Sequence, residues 1–231
     1  MTISGGESAS YFSSIQQEYD SLIRRAVPCY EPMLEALVAY LPTNARKVLE
    51  LGCGTGNLTL RILDRYPDAR VTSVDVSEEM LALTRERVSE RGWESRWDAA
   101  RSAFEELDIP DASFDLIVSS ISLHHVEDKP VLFERVRRWL REGGECWYSD
   151  QMWGATERSA DHNWEHWKAF CREPGNCSEE EIAGLLEHAR DHDHYEPVLA
   201  YMRAMEKAGF APNTIDCVWR STMWGVVGAR R

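Results

Sequence analysis

The stretch KVLELGCGTGNL, Lys47 to Leu58, decides the fold. Residues 47–51 form the apolar run typical of a buried strand, and a helical pattern of apolar residues begins at Leu58. Three glycines at alternate positions therefore fall on the turn between a strand and a helix: Gly52, Gly54 and Gly56. Because glycine has no Cβ, such a turn lets another molecule approach the backbone closely.

The same alternation of strand and helix continues on the C-terminal side of this turn. The pattern predicts strands at 47–51, 70–76, 97–103, 114–120 and 144–150, and helices at 57–66, 77–91 and 129–140. Alternating elements of this kind predict βαβ units and a doubly wound, mostly parallel α/β sheet with helices on both faces. Ligands of such sheets bind at the carboxyl ends of the strands.

The two ends of the chain follow other patterns. Helices are predicted at 11–25 and 30–41, separated by Pro28, and a helix at 196–208. Two late β-like runs, TIDCVWRS and TMWGVVGAR, predict an antiparallel hairpin that completes a seven-stranded sheet. The segment 152–195 interrupts the alternation and is interpreted as a helical cap over the strand ends. We expect one domain, 1–231.

Composition limits the class of protein. The net charge of −13 arises from 39 acidic and 26 basic residues, which disfavours binding to nucleic acid. The six cysteines contain no Cys-x-x-Cys pair, which fits a reducing cytoplasm. The N-terminus lacks the features of an export signal, and no run of 18 apolar residues occurs. We expect a cytoplasmic protein without a membrane or nucleic-acid partner, as a monomer or homodimer.

The spacing of the glycines separates three ligand classes. A nicotinamide-binding G-x-G-x-x-G pattern would need glycine at Asn57 or Thr59, and a phosphate-binding Walker loop would need a lysine that the turn lacks. The pattern E-x-G-x-G-x-G, Glu50 to Gly56, resembles motif I of the class I S-adenosylmethionine-dependent methyltransferases. That cofactor carries no phosphate, so it requires no lysine.

Three further segments extend the resemblance. The second strand, VTSVDV, ends at Asp75, whose carboxylate is expected to accept the ribose hydroxyls. ARSAFEEL offers an adenine site, although many family members carry Asp at Ala103, so the adenine amino group is left to backbone or to Ser102. DASFDLIVSSISLHHV matches the fourth-strand segment. The resemblance implies S-adenosylmethionine as cofactor, a small-molecule acceptor, and these cofactor-binding residues: Tyr30, Glu50, Gly52, Cys53, Gly54, Gly56, Asp75, Val76, Ser102, Ala103, Phe104 and Ser120.

The N-terminal segment carries a narrower resemblance. DSLIRRAVPCYEPML, Asp20 to Leu34, resembles the tRNA wobble-uridine carboxymethyltransferases that use carboxy-S-adenosylmethionine. This implies an N-terminal helical lid, 11–41, in which Tyr30 closes over the cofactor beside Arg25. The arginine that holds the extra carboxylate in that family has no clear counterpart, since Arg190 is out of pattern. Carboxymethyl transfer to tRNA and a non-catalytic cofactor sensor remain alternatives to a small-molecule methyltransferase.

Methyl transfer from a sulfonium is an in-line displacement, so alignment and exclusion of water supply most of the catalysis. A base is needed only for an acceptor that arrives protonated. His124 and His125 follow the fourth strand and are the predicted catalytic residues, although one of such a pair often packs structurally. Aromatic side chains that could line the acceptor pocket, or serve only as core, are Tyr11, Trp153, Trp164, Tyr195 and Trp224.

Histidines four residues apart occur twice in the predicted cap. His162 and His166 form one pair, His188 and His192 the other, and Asp193 adjoins the second pair. Such spacing places two imidazoles on one face of a helix, which suits a metal site and suits a solvated surface equally. No metal is assigned from the sequence.

Overall fold

The computed structural model describes residues 19–231. Seven β-strands occur in this part of the chain: β1 (Lys47–Leu51), β2 (Arg70–Asp75), β3 (Trp97–Arg101), β4 (Phe114–Ser120), β5 (Leu140–Gln151), β6 (Asp216–Ser221) and β7 (Trp224–Arg230). They form one sheet in the order β3-β2-β1-β4-β5-β7-β6. The predicted strand positions are confirmed, with β5 starting earlier than expected: Leu140 already pairs with Phe114, and the register between β4 and β5 then shifts before Leu116.

The α-helices of the same residues are α1 (Tyr19–Ala26), α2 (Tyr30–Tyr40), α3 (Asn57–Arg65), α4 (Glu78–Glu90), α5 (Lys129–Trp139), α6 (Glu157–Arg172), α7 (Glu179–His192) and α8 (Val198–Lys207). Helices α2 to α5 confirm the predicted positions to within a residue at each end. The predicted helix 11–25 coincides with α1 only in its C-terminal part, because residues 11–18 lie outside the described chain.

Strand directions confirm the doubly wound sheet. Strands β1 to β5 run parallel to one another, while β7 runs antiparallel to both β5 and β6. The predicted C-terminal hairpin is thus present, and its second strand lies inside the sheet with β6 at the edge. The carboxyl ends of the parallel strands β1, β2 and β4 consequently meet at one edge of the sheet, where a ligand is expected.

The sheet is covered on both faces. Alternate residues of β1 point to opposite sides, so that Val48 joins an apolar cluster with Leu34 and Ile62, whereas Leu49 joins a second cluster with Phe133. Burial on both faces explains why the sequence of β1 is a continuous apolar run.

Helices α6 and α7 follow β5 and precede α8 along the chain, and both contact α1. The indole Nε1 of Trp167 donates to the carbonyl oxygen of Ala26 at 2.8 Å, and Arg25 pairs with Glu181 at 2.6 Å. The segment predicted as a cap is therefore helical and joined to the N-terminal helix. Within residues 19–231, no helix has the length and apolar composition needed to cross a membrane.

Candidate active site

A cavity of about 550 Å³ opens at the carboxyl ends of β1, β2 and β4. Its walls include ten of the residues predicted from the sequence to bind cofactor or act in catalysis: Tyr30, Gly52, Cys53, Gly54, Asp75, Val76, Ala103, Phe104, Ser120 and His125. Residues far apart in the chain thus line one space. The size of the cavity suits a small organic ligand.

The glycine turn forms one wall of this cavity. The amide of Gly52 donates to the carbonyl oxygen of Val74 at 2.8 Å, which ties the turn to β2. Gly52 has a φ of +73°, and a Cβ there would lie 1.9 Å from Oγ of Ser122. Gly54 has a φ of +52°, and a Cβ there would meet nothing within 4 Å. Because Gly54 has no side chain, there is room for a ligand beside it. Because Gly52 has none, Ser122 in the loop after β4 can pack against its backbone.

Asp75 is fixed at the cavity wall by backbone donors. Its Oδ2 accepts from the amide of Gly54 at 2.8 Å and its Oδ1 accepts from the amide of Ser77 at 3.0 Å. Burial raises the pKa of Asp75 above its usual range, and these backbone donors partly oppose that rise. Each carboxylate oxygen can accept a further hydrogen bond, so Asp75 can receive two hydroxyl groups of a ligand.

Glu50 lies beneath the turn and is not among the wall residues. Its Oε2 accepts from Oγ1 of Thr59 at 2.5 Å and from Oγ of Ser73 at 2.7 Å. The side chain is fully buried, and burial raises its pKa to about 7. Its Oε2 therefore joins β1 to α3 and β2, and the role of Glu50 in binding the cofactor stays a prediction.

Two other predicted cofactor residues also lie off the wall. Gly56 precedes α3 with a φ of +85°, and a Cβ there would lie 3.0 Å from the side chain of Thr84. Ser102 donates from Oγ to the carbonyl oxygen of Ala103 at 2.9 Å. Gly56 thus serves the packing of α3 against α4, and Ala103 with Phe104 forms the wall after β3.

A short 3₁₀ turn, Leu123–His125, follows β4 and carries both predicted catalytic histidines. Nδ1 of His124 lies 2.5 Å from Oδ1 of Asp150, whose Oδ2 accepts from the amide of His124 at 2.9 Å. Asp150 stands near the end of β5, beside β4 in the sheet. Burial lowers the pKa of His124, but the carboxylates of Asp150 and Asp193 outweigh it and raise the pKa above its usual value.

Asp193, just after α7, joins the histidines to the cap. Its Oδ1 lies 2.9 Å from Nδ1 of His125, 3.8 Å from Nε2 of His124 and 3.7 Å from Nε2 of His188. Its Oδ2 accepts from the hydroxyl of Tyr195 at 2.5 Å. Burial raises the pKa of Asp193, but the neighbouring histidines outweigh it and hold the pKa well below its usual range. The second histidine pair of the cap adjoins this group, since the ring of His188 contacts those of His125 and His192. The first pair, His162 and His166, lies exposed on α6.

A smaller cavity of about 90 Å³ adjoins the first. Tyr19, Ile121 and His125 line both cavities. Three of the predicted pocket aromatics, Trp164, Tyr195 and Trp224, line the smaller cavity, whereas Trp153 is 39 % exposed and contacts the rings of Trp164 and Tyr195 from outside. Tyr11 lies outside the described residues.

Sequence reasoning missed the two aspartates that organise the histidines. Asp150 had a usable signal, because it ends the strand predicted next to β4 and carboxyl ends of neighbouring strands meet at one edge. Asp193 had only its position beside the cap histidines, since its place depends on how the cap packs. Arg25, expected beside the cofactor, instead pairs with Glu181 and is absent from both cavity walls among the described residues.

Comparison with known proteins shows which proteins this chain is similar to. A family model described as a methyltransferase domain matches residues 48–144, which run from β1 into β5. Phosphoethanolamine N-methyltransferase 1 of Triticum aestivum is 31% identical over 166 residues, covering 71% of this chain and 28% of that protein. The ubiquinone/menaquinone biosynthesis C-methyltransferase UbiE of Xanthomonas oryzae pv. oryzae is 34% identical over 101 residues, covering 43% of this chain and 40% of that protein.

The chain thus spans less than half the length of these two relatives. Among solved structures, an S-adenosylmethionine-dependent methyltransferase from Mesorhizobium loti superposes with a TM-score of 0.60 at 24% identity, covering 85% of this chain and 96% of that one. This likeness confirms the Rossmann-like methyltransferase fold.

Proposed function

We propose that this chain, in which residues 48–144 match the methyltransferase domain family, transfers a methyl group from S-adenosylmethionine to a small molecule. One observation carries the proposal. The glycine turn, Asp75 and Phe104, which the sequence predicted as separate parts of a cofactor site, line a single cavity at the carboxyl ends of the strands.

The donor set of the large cavity fits this cofactor. Asp75 offers acceptors for the ribose hydroxyls, and the turn at Gly54 offers backbone at close range. Apolar side chains, Phe104 and Met80 among them, suit the adenine ring. Among the described residues, no lysine or arginine lines the wall, so the cavity matches a ligand without phosphate groups.

The cofactor supplies a methyl group on a positively charged sulfur, and the acceptor must attack that carbon in line. The chain contributes by holding the acceptor at the junction of the two cavities, where His125 lines both. The smaller cavity, with Trp164 and Trp224 in its wall, keeps water from the reacting atoms. We propose His125 as the catalytic residue that touches the acceptor, and His124 as a positioning residue held by Asp150.

The walls of the smaller cavity favour an acceptor with an apolar or aromatic body. Trp164, Trp167 and Leu185 are among its apolar lining residues, while His125 and Asp193 offer polar groups. A hydroxyl or thiol beside these polar groups would transfer its proton to the imidazole of His125, form a bond from its lone pair to the methyl carbon, and leave the carbon–sulfur electron pair on the cofactor's sulfur. The relatives named above act on different acceptor classes, so their names do not choose among acceptors.

Neither alternative gains support from the geometry. A carboxylated cofactor would require a cationic side chain near the sulfonium end, yet Arg25 pairs with Glu181 and Arg190 pairs with Asp191 on the surface. A non-catalytic sensor would need only the large cavity for the cofactor. This chain also has the smaller cavity beside it, which offers space for an acceptor.

Calorimetric titration with S-adenosylmethionine and with its carboxylated analogue tests the proposal. We expect the unmodified cofactor to bind more tightly, and Asp75→Asn to weaken that binding about 10-fold or more, which is about 1.4 kcal/mol. Asp64→Asn, an exposed aspartate of α3, is the matched control and should bind as the wild type does. Preference for the carboxylated analogue would favour carboxymethyl transfer, and failure of both to bind would refute the cofactor assignment.

A further inference from the structure

The group formed by His124, His125 and Asp193 has the composition of a metal site. Each residue offers one ligand atom, and the three atoms lie within 4.8 Å of one another. Two imidazole nitrogens and one carboxylate oxygen form the type of ligand set that binds zinc and other divalent transition metals. The group is buried, with side-chain exposures of 6%, 20% and 3%, unlike the solvated acidic clusters common on protein surfaces.

The separations fit coordination of one ion. Ligands about 2.0–2.1 Å from a tetrahedral zinc ion lie about 3.3 Å from one another. Oδ1 of Asp193 lies 2.9 Å from Nδ1 of His125 and 3.8 Å from Nε2 of His124, values on either side of that separation. The three ligand atoms all lie within 4.8 Å of one another, close enough to surround one ion.

The surroundings resemble the outer shell of a metal site. Nδ1 of His124 lies 2.5 Å from a carboxylate oxygen of Asp150, so the Nε2 atom is the one presented to Asp193. A histidine ligand that donates its second nitrogen to a carboxylate is usual at metal sites, because this hydrogen bond fixes the ring. Tyr195 holds the other oxygen of Asp193 in the same way, at 2.5 Å.

We propose that Nε2 of His124, Nδ1 of His125 and Oδ1 of Asp193 bind one divalent transition-metal ion at the junction of the two cavities. Three protein ligands leave a coordination position open, as catalytic zinc sites do. His188, whose Nε2 is 3.7 Å from Oδ1 of Asp193, is the neighbouring imidazole. The proposal that an ion binds here is argued from these residues and does not depend on the proposed function.

The role of the ion rests on the proposed function. His125 and Asp193 line the smaller cavity, so the open position is where the polar end of an acceptor would lie. A metal-bound hydroxyl or thiol loses its proton to solvent near neutral pH, and the resulting oxygen or sulfur anion attacks the methyl carbon. The ion thus selects acceptors that carry an ionisable oxygen or sulfur.

The test measures metal binding directly. Full-length protein is treated with a chelator, returned to metal-free buffer and titrated with Zn²⁺, with metal content determined by mass spectrometry. We expect one equivalent of zinc in the wild type, and visible absorption bands of a four-coordinate ion when Co²⁺ replaces it. Substoichiometric zinc together with a Co²⁺ spectrum of the hydrated ion would overturn the proposal, leaving a hydrogen-bonded network.

Variants locate the ion. Asp193→Asn and His125→Gln should abolish stoichiometric zinc binding, and Asp150→Asn should weaken it by about 10–100-fold, the usual effect of an outer-shell partner. His166→Gln, an exposed histidine of α6, is the matched control. Zinc binding unchanged in Asp193→Asn would refute the site. If that variant fails to fold, the Co²⁺ spectrum of the wild type still decides.

Cofactor titration of the same metal-free protein separates this inference from the proposed function. If the protein binds S-adenosylmethionine but takes up no stoichiometric zinc in the metal titration, the methyltransferase proposal stands and the metal site is refuted. Stoichiometric metal without binding of the cofactor would support the site and refute the methyltransferase proposal.

Discussion

Arg25 on α1 donates to both carboxylate oxygens of Glu181 on α7, at 3.1 and 2.6 Å. This bidentate pair joins the N-terminal helix to the cap over the smaller cavity. Glu181 also accepts from the amide of Ser178 at 2.7 Å, which completes a capping box at the start of α7. One glutamate therefore both starts the cap helix and attaches it to α1.

Glu181→Gln separates these two roles, because glutamine also serves at the third position of a capping box. The variant should keep α7 and lose the ion pair, lowering the free energy of unfolding by about 0.5–1 kcal/mol, since the pair is partly exposed. Urea unfolding measures this. Glu180→Gln, an exposed neighbour on the same turn, removes the same charge and should change stability less. Equal loss in both variants would refute the role of the pair.

Tyr30 lines the large cavity and is the residue expected to close over the cofactor. Burial raises its pKa to about 12, so the hydroxyl stays neutral at working pH, and the ring is the part that we expect to pack on the cofactor. We expect Tyr30→Phe to bind the cofactor as the wild type does, and Tyr30→Ala to bind about 10-fold more weakly.

Calorimetry with S-adenosylmethionine gives these affinities, and circular dichroism first establishes that Tyr30→Ala folds, because truncating a buried aromatic residue destabilises by about 3–5 kcal/mol. Tyr40→Ala, at an exposed tyrosine of the same helix, is the control. Wild-type affinity in folded Tyr30→Ala would show that the ring does not cover the cofactor.

The strand positions and ten residues of the large cavity wall could be predicted from the sequence because both depend on local patterns. The run of apolar residues before Gly52 predicts a buried strand. In any parallel sheet, the residues that directly follow the strands lie at the same edge. Asp75 and Phe104 therefore lie where the sequence placed them.

What could not be predicted depends on packing between distant segments. Glu50 fits a ligand-facing position by motif, yet the hydroxyls of Thr59 and Ser73 bind its carboxylate inside the fold. Asp193 reaches His125 only because α7 packs over the loop after β4. Neither of these contacts produces a residue spacing that can be recognised in the sequence.

Gly54 tests whether the turn makes room for a ligand. In Gly54→Ala the new Cβ meets nothing within 4 Å, so the main effect on folding is the left-handed φ of +52°, about 1 kcal/mol. Cofactor affinity should fall by at least about 10-fold, because the methyl group occupies space at the cavity wall.

Gly184→Ala is the matched control for this variant. It lies within α7, where its Cβ would also meet nothing within 4 Å, and alanine should stabilise the helix by about 0.5–1 kcal/mol. Thermal unfolding and calorimetry of both variants separate folding from binding. An unchanged cofactor affinity in Gly54→Ala would contradict the position assigned to the ligand.

The buried carboxyl of Glu50 predicts a pH dependence of stability. Burial raises its pKa from 4.5 to about 7 in the folded protein, so folding favours the protonated form. The unfolded chain loses that proton at lower pH, and the free energy of unfolding therefore falls as pH rises between about 4.5 and about 7. At 1.36 kcal/mol per pKa unit, the total change from this group is about 3 kcal/mol.

Glu50→Gln removes this contribution, because an amide does not titrate and its oxygen can still accept from Thr59 and Ser73. Urea unfolding at pH 5 and pH 8 should show the variant gaining stability relative to the wild type at the higher pH. Glu35→Gln, at an exposed glutamate of α2, should leave the difference between the two pH values as it is in the wild type. If Glu50→Gln shows the full wild-type pH dependence, the carboxyl is ionised in the folded protein, and its charge must be balanced by a group that burial and these two hydroxyls do not account for.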